Sequence, residues 1–131
     1  MKRLMLAALF AGLGSAAFAD DIVGTWQTIK DDNGNFGHIE IAPCGAAFCG
    51  TLVRSFDSNG AVFTSENQGR QIVWDMVAQG GGKYGAGKVY SPDRDQTYGG
   101  KMELSGNSLT VKGCLFGQTG CRSGGTWSRV N

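Results

Sequence analysis

Short stretches of alternating apolar and polar residues recur along this chain, and each is separated from the next by residues that favour tight turns. A side-chain period of two is typical of a β-strand with one buried face, whereas an amphipathic helix needs a period near 3.6. Twenty glycines follow residue 19, and glycine adopts the backbone conformations that such turns require. The pattern predicts eight strands, approximately at residues 22–30, 36–42, 48–55, 71–78, 84–91, 96–104, 108–115 and 124–130.

Three polar turns predict how neighbouring strands are connected. The segments 31–35 and 105–107 contain Asn-Gly and Gly-Asn pairs, and Pro92 begins a third turn after residue 91. Residues of these types favour the sharp reversals of β-hairpins. We therefore predict an all-β meander of antiparallel strands. The segment 57–70 has no clear period, and it is either a lid over one end of the sheet or an ordinary polar crossing.

The alternation also predicts which side chains face inward. An eight-stranded barrel is wide enough either to be filled by side chains or to hold one small ligand, and both alternatives remain open. Inward glycines at positions 100 and 113 favour some free space. The predicted inward residues include Ile39, Ile41, Phe56, Trp74, Met76, Tyr90, Tyr98, Gly100, Met102, Leu104, Leu109, Val111, Gly113 and Leu115, with Arg54 on the same alternate positions as Phe56.

Two tryptophan-containing segments lie near the ends of the predicted strand series. Gly24 and Trp26 belong to the first strand, and Trp127 and Arg129 belong to the last. An indole is large enough to fill the end of a barrel, and we expect Gly24, on the same face, to leave room for that of Trp26. We expect the Arg129 guanidinium to lie across this indole in a cation-π contact, which requires the two strands to be neighbours. These four residues predict a closed barrel without free sheet edges.

The first 19 residues have the features of an export signal. Lys2 and Arg3 precede an apolar run, and Ala17-Phe18-Ala19 is a small-x-small cleavage sequence. The apolar run is too short to span a bilayer about 30 Å thick. We therefore predict a signal peptide at residues 1–19, a single barrel domain at residues 20–131, a periplasmic or secreted location, and no stable membrane insertion.

All four cysteines lie in the predicted mature domain, as two closely spaced pairs. Export favours disulfides, and four cysteines allow three connectivities. We predict the local pairs Cys44–Cys49 and Cys114–Cys121, because each pair flanks a glycine-containing turn between strands. Zinc is the alternative, but neither spacing matches the two-residue gap of zinc knuckles. Without Lys2 and Arg3 the chain has ten basic and eleven acidic residues, a formal net charge of −1, and we expect no nucleic-acid partner.

Several of these segments together resemble a known family. It comprises small exported bacterial proteins of unknown function with a lipocalin-like (calycin) β-barrel, and the resemblance covers essentially the whole mature chain. The pattern departs from that of the family between Asn59 and Gln71, where proline and a further charged segment are usual. The resemblance implies the fold but no activity, ligand or catalytic residue. Its landmarks are Gly24-Thr25-Trp26, Ile39-Glu40-Ile41, Pro43-Cys44, Phe48-Cys49-Gly50, Gly87 to Pro92, Thr97-Tyr98, Gly113-Cys114, Cys121-Arg122 and Thr126 to Arg129.

No catalytic constellation is evident in the sequence. His38 is the only histidine, and a general base needs a nucleophile and an orienting partner within hydrogen-bond reach. No Gly-x-Ser-x-Gly elbow is present. Asp93 and Asp95 resemble calcium ligands, but a turn explains both. The run of glycines at 80–82 lacks the spacing of a phosphate-binding loop. We predict no enzyme activity, no metal and no cofactor.

The interior wall and the loops are the two places left for a function. We predict that the barrel binds a small apolar or amphiphilic ligand, with Arg54, Trp74, Tyr90 and Tyr98 as contacts at its wall or mouth. This prediction follows from the fold and the inward glycines. The alternative is a protein-interaction module, such as an inhibitor of an exported hydrolase or an envelope-stress factor, acting through loops on a rigid scaffold.

Overall fold

The computed structural model describes residues 21–131, so the predicted signal peptide lies outside the described residues. Within residues 21–131 the regular structure consists entirely of β-strands. In this part of the chain there is no helix with the length and hydropathy needed to cross a membrane. The strands are β1 (Gly24–Gln27), β2 (Phe36–Cys44), β3 (Ala47–Phe56), β4 (Val62–Phe63), β5 (Gln71–Gly80), β6 (Lys83–Ser91), β7 (Gln96–Ser105), β8 (Ser108–Phe116) and β9 (Thr119–Arg129).

Eight of these strands form a closed antiparallel barrel, which confirms the predicted fold. The order around the ring is β2-β1-β9-β8-β7-β6-β5-β3, and β3 pairs with β2 to complete it. The two-residue strand β4 pairs with the last two residues of β3 and lies outside the ring. Sequence alternation did not predict β4, because two residues are too few to show a period.

The predicted turns are present and have the expected chemistry. The Asp31 carboxylate accepts hydrogen bonds from the backbone N–H groups of Asn33 and Asn35, each at 2.9 Å. Gly34 in the same turn has a φ of 81°, in the left-handed region that glycine adopts at little cost. Gly81 and Gly82 form the β5–β6 hairpin turn. Local side-chain and backbone chemistry therefore determines the meander.

Trp26 and Arg129 lie in contact at one end of the barrel, which we call the closed end. Trp26 is fully buried, and its indole N–H donates to the Ile22 carbonyl oxygen at 2.9 Å. The Arg129 guanidinium lies 4.4 Å from the centroid of the Trp26 ring, and the two residues are register partners between β1 and β9. Gly24 has a different role from the one expected: a Cβ atom there would collide with the Asn131 carbonyl oxygen, so Gly24 makes room for the C-terminal backbone.

The core fills the closed end of the barrel and extends into the open half. Gly100 faces inward, but a Cβ atom there would lie 2.5 Å from the Met76 methyl carbon, so the space that Gly100 leaves is already filled. Leu115 is 64 % exposed, because it lies at the open end, beyond the enclosed part of β8. The buried cluster comprises Ile22, Trp26, Ile39, Ile41, Leu52, Ile72, Val73, Met76, Tyr84, Tyr90, Met102, Leu109, Val111 and Trp127.

Both predicted disulfides are present. Cys44 and Cys49 join β2 to β3 across their turn at the closed end, and Cys114 and Cys121 join β8 to β9 near the open end. No cysteine in the described range is free. Each bond therefore constrains one hairpin and leaves the pairing of distant strands to the sheet itself.

Candidate functional site

A cavity of about 980 Å³ enters the barrel from the end opposite the Trp26–Arg129 contact. Its volume lies at the upper end of the range of about 300–1,000 Å³ found for small-molecule sites. At this end the barrel is therefore not filled by its side chains, which favours the second of the two alternatives that the sequence left open, a space for one small ligand. The deepest lining residues are apolar and belong to the core: Ile39, Leu52, Ile72, Val111 and Trp127.

The mouth of this cavity is polar and mixed in charge. The loop after β1, the crossing 57–70 and the turns after β6 and β8 all lie at this end. Three basic and three acidic side chains line the mouth, so it favours neither an anion nor a cation. These are Lys30, Asp31, Glu66, Asp93, Arg94 and Arg122.

The crossing 57–70 forms part of the mouth. Residues 63–67 line the cavity, and the end of the crossing is attached to β3 by two backbone hydrogen bonds. Gly69 N–H donates to the Leu52 carbonyl at 2.8 Å, and Leu52 N–H donates to the Arg70 carbonyl at 2.9 Å. These two bonds fix the C-terminal end of the crossing against β3, directly before β5 begins.

Tyr90 and Tyr98 both line the cavity, where the sequence predicted them. Tyr90 is 6 % exposed, and its hydroxyl donates to Asp95 at 2.7 Å. This hydrogen bond is the main cause that raises the pKa of the Tyr90 phenol above its usual value. The Arg70 guanidinium lies 3.5 Å from the centroid of the Tyr90 ring. Tyr90 is therefore held by its neighbours as part of the cavity wall.

Arg54 does not line the cavity, because a β-bulge changes the facing of β3. His38 is the register partner of Arg54, and the next residue of β2, Ile39, is the partner of Leu52, so Val53 is an extra residue. Val53 and Arg54 are consecutive exposed residues as a result. The alternation restarts after the bulge, and Ser55 faces inward in place of Arg54.

Trp74 is also absent from the cavity lining, for a related reason. It is half-buried and packs against the core. Two register shifts between β3 and β5 place extra residues in β5 on both sides of Val73. Asp75 has a φ of 56°, which is unusual for a residue other than glycine. These irregularities turn Ile72, rather than Trp74, toward the cavity.

Ser55 is the cavity residue that the sequence analysis missed. It is 4 % exposed and is the only buried polar residue in the described part of the chain, apart from tyrosine and cysteine. It lines the cavity together with Gly37, its register partner on β2. The predicted inward facing of Arg54 and Phe56 implies, by alternation, that Ser55 lies on the outer face. Ser55 faces inward because the extra residue Val53 shifts the alternation by one. A valine within a strand gives no sign of such a bulge in the sequence.

His38 lies on the outer side of β2, away from the cavity lining. Its Nε2 atom is 3.2 Å from Gln27 Oε1, and its ring lies 4.7 Å from that of Phe56. Partial burial, and secondly the nearby Arg54 charge, lower the pKa of the His38 imidazole below 6.5. Residues 21–131 contain no cluster of three or more histidine, cysteine, aspartate or glutamate residues suited to a metal ion. Asp95 instead accepts the hydrogen bond from Tyr90.

Comparison with known proteins supports the barrel architecture. A family model described as "Uncharacterized protein conserved in bacteria (DUF2147)" matches residues 24–129. A similar solved structure is that of HP1028 from the human pathogen Helicobacter pylori, described as belonging to the lipocalin family. It aligns with a TM-score of 0.66 at 17 % identity, over 86 % of this chain and 85 % of that one. No curated protein sequence matches the chain.

Proposed function

Because the chain belongs to the bacterial DUF2147 family and folds as a lipocalin-like barrel, we propose that it is an exported, non-enzymatic protein that binds a small apolar or amphiphilic ligand. The observation that carries this proposal is the cavity of about 980 Å³ with an apolar floor. Each methylene group that such a floor removes from water contributes about 0.8 kcal/mol. A short hydrocarbon chain would thus gain several kcal/mol by entering the barrel.

The wall of the cavity suits a ligand with an apolar body. Tyr90 and Tyr98 are the contacts we propose near the mouth, and Trp127 lies at the floor. Rigid aromatic rings supply contact area at a low entropic cost. Arg54 and Trp74 lie outside the lining, and we do not assign them a ligand contact. The charged side chains at the mouth would face the polar end of an amphiphile.

Filling the cavity from its wall tests this proposal. A Cβ atom on Gly113 would lie 3.5 Å from Tyr98 side-chain atoms, an ordinary van der Waals distance, and Gly113 does not have a positive φ. Gly113→Leu should therefore fold while occupying part of the cavity. We expect its affinity for the fluorescent apolar probe 1-anilinonaphthalene-8-sulfonate to fall by about tenfold, measured by titration. Equal affinities in wild type and variant would contradict binding inside the barrel.

The matched control for Gly113→Leu is Thr110→Leu on the same strand. The Thr110 hydroxyl lies 3.1 Å from that of Thr126, and Thr110 does not line the cavity. This variant adds a leucine of the same size outside the cavity, so probe affinity should stay at the wild-type value. Melting temperatures of both variants would show that each is folded.

The exported location is supported by the two disulfides, which form and persist in oxidising compartments. The sequence pattern of residues 1–19 predicts cleavage after Ala19. Expression of the full chain in a bacterium, followed by fractionation and intact-mass measurement, tests this part. We expect a periplasmic or secreted product that begins at Asp20. An uncleaved product in the cytoplasm would contradict export.

A second candidate function is a protein-interaction module. It is favoured by two large apolar side chains at the tip of the β8–β9 hairpin, since Leu115 is 64 % and Phe116 is 73 % exposed. Exposed apolar residues of this kind recur at protein interfaces. A pull-down from periplasmic extract with wild type and with Phe116→Ser separates the two functions. A stable protein partner lost in the variant favours the module, while a bound small molecule favours the ligand-binding barrel.

A further inference from the structure

The Ser55 hydroxyl has no hydrogen-bond partner within the described part of the protein, although the residue is 4 % exposed. The backbone of Ser55 lies between its register partners Gly37 on β2 and Phe63 on β4. A buried hydroxyl without a partner costs free energy, and buried polar groups in native proteins are nearly always bonded. Ser55 also lines the cavity, so a molecule bound in the cavity would lie next to its side chain.

Two other hydroxyl groups of the cavity wall, those of Thr28 and Tyr90, are already engaged. The Thr28 hydroxyl accepts a hydrogen bond from Gly37 N–H at 3.0 Å and donates to the Ile29 carbonyl at 3.1 Å. The Tyr90 hydroxyl donates to Asp95 at 2.7 Å. Ser55 therefore differs from these residues in having its full hydrogen-bonding capacity, one donor and two acceptor sites, available to a ligand.

We propose that Ser55 is a polar anchor for the ligand, and that the ligand is an amphiphile whose apolar chain carries a neutral hydrogen-bonding group within the barrel. A hydroxyl group or an ester or amide carbonyl meets this description. The inference rests on the proposed function and narrows it, because a plain hydrocarbon chain would leave the Ser55 hydroxyl unpaired. Ser55 thus acts as a specificity-determining residue.

The charges around the cavity show why the group bonded to Ser55 is neutral. The charged lining residues lie in the loops and turns of the open end, and Glu66, Asp93 and Arg94 are exposed. The register partners of Ser55 are Gly37 and Phe63, and neither carries a charge. Ser55 is 4 % exposed, so a charged group bonded to it would lose hydration without gaining a counter-ion from these two neighbours. The charged head of an amphiphile therefore stays at the mouth, and a neutral group of its chain reaches Ser55.

Binding of stearate and of a series of hydroxystearates, which differ only in the carbon that carries the hydroxyl, tests this inference. Affinities are measured by displacement of 1-anilinonaphthalene-8-sulfonate. We expect at least one hydroxystearate to bind the wild type about fivefold more tightly than stearate, which is the effect of one neutral hydrogen bond. Ser55→Ala should bind stearate as the wild type does and lose the fivefold preference. Ser108→Ala, at an exposed serine of β8 outside the cavity lining, should keep it.

Four outcomes would overturn the inference. Stearate binding with no preferred hydroxystearate would show that Ser55 is not an anchor, while leaving the proposed function intact. A preference that persists in Ser55→Ala would assign it to another residue. Absence of binding by every fatty acid would contradict both the inference and the proposed function. The melting temperature of Ser55→Ala without ligand should equal or exceed that of the wild type, because the variant removes an unpaired buried hydroxyl. A lower melting temperature would indicate a structural role and count against the anchor.

Discussion

Arg129 connects three segments at the closed end of the barrel. Its guanidinium lies 4.4 Å above the Trp26 ring, donates to Asn107 Oδ1 at 3.2 Å, and donates to the backbone carbonyls of Asp21 and Val23. Trp26 in turn is fully buried and bonded to Ile22. The indole therefore supplies buried area, while the guanidinium satisfies carbonyl groups around it.

These two residues should differ in their effect on stability. We expect Trp26→Ala to lower the free energy of unfolding by about 3–5 kcal/mol, because it leaves a cavity in the closed end. Arg129→Ala should cost about 1–2 kcal/mol, through the lost cation-π contact and hydrogen bonds. Urea denaturation of both variants measures the difference. Equal and negligible losses would contradict the role of this contact in closing the barrel.

His38 gives a prediction about pH. Partial burial is the larger cause that lowers the pKa of its imidazole, and the Arg54 charge is the smaller. A lowered pKa means that the unfolded chain binds the proton more readily than the folded protein, so protonation as the pH falls below 6.5 lowers the free energy of unfolding.

An NMR titration of the His38 ring tests this directly. We expect a pKa below 6.5 in the wild type. The pKa should be higher in Arg54→Ala than in the wild type, yet still below 6.5, since burial remains. A pKa at or above 6.5 in the wild type would contradict the environment described for His38.

At the scale of the strands, sequence alternation predicted where most strands lie and which of their side chains face inward. The positions of eight strands and the inward facing of Met102 and Leu109 follow from residue types repeated at a period of two. Arg54 was assigned to the wrong face and Ser55 was missed, because the extra residue Val53 shifts the alternation by one. A bulge is fixed by the pairing of two strands, and one strand alone gives no signal of it.

The two disulfides should stabilise single hairpins without determining the fold. The bonded residues are separated by 5 and 7 positions, and closure of such short loops contributes at most about 2–3 kcal/mol each. We expect replacement of Cys44 and Cys49 by alanine, and separately of Cys114 and Cys121, to lower the melting temperature. The far-UV circular dichroism spectrum should keep its β-sheet form. Its loss in either double variant would show that the bond is needed for the fold.

At the scale of the whole molecule, the barrel is divided into a packed half and an open half. The closed half is filled by Trp26, Met76 and Met102, all fully buried, and the open half surrounds the cavity. The sequence could not predict the volume of the cavity. Gly100 and Gly113 both face inward, and only the packing of Met76 shows that the space beside Gly100 is filled. The family resemblance likewise implied the barrel fold but neither a cavity nor a ligand.

The central claim is that the cavity holds a small apolar or amphiphilic molecule, and native mass spectrometry tests it most directly. The wild type and Gly113→Leu would be expressed with the export signal in a bacterium and purified from the periplasm without detergent or organic solvent. We expect the wild type to carry the added mass of one small molecule and Gly113→Leu to carry little or none. A wild-type protein with only the mass of its own chain, under conditions that preserve its fold, would contradict the claim.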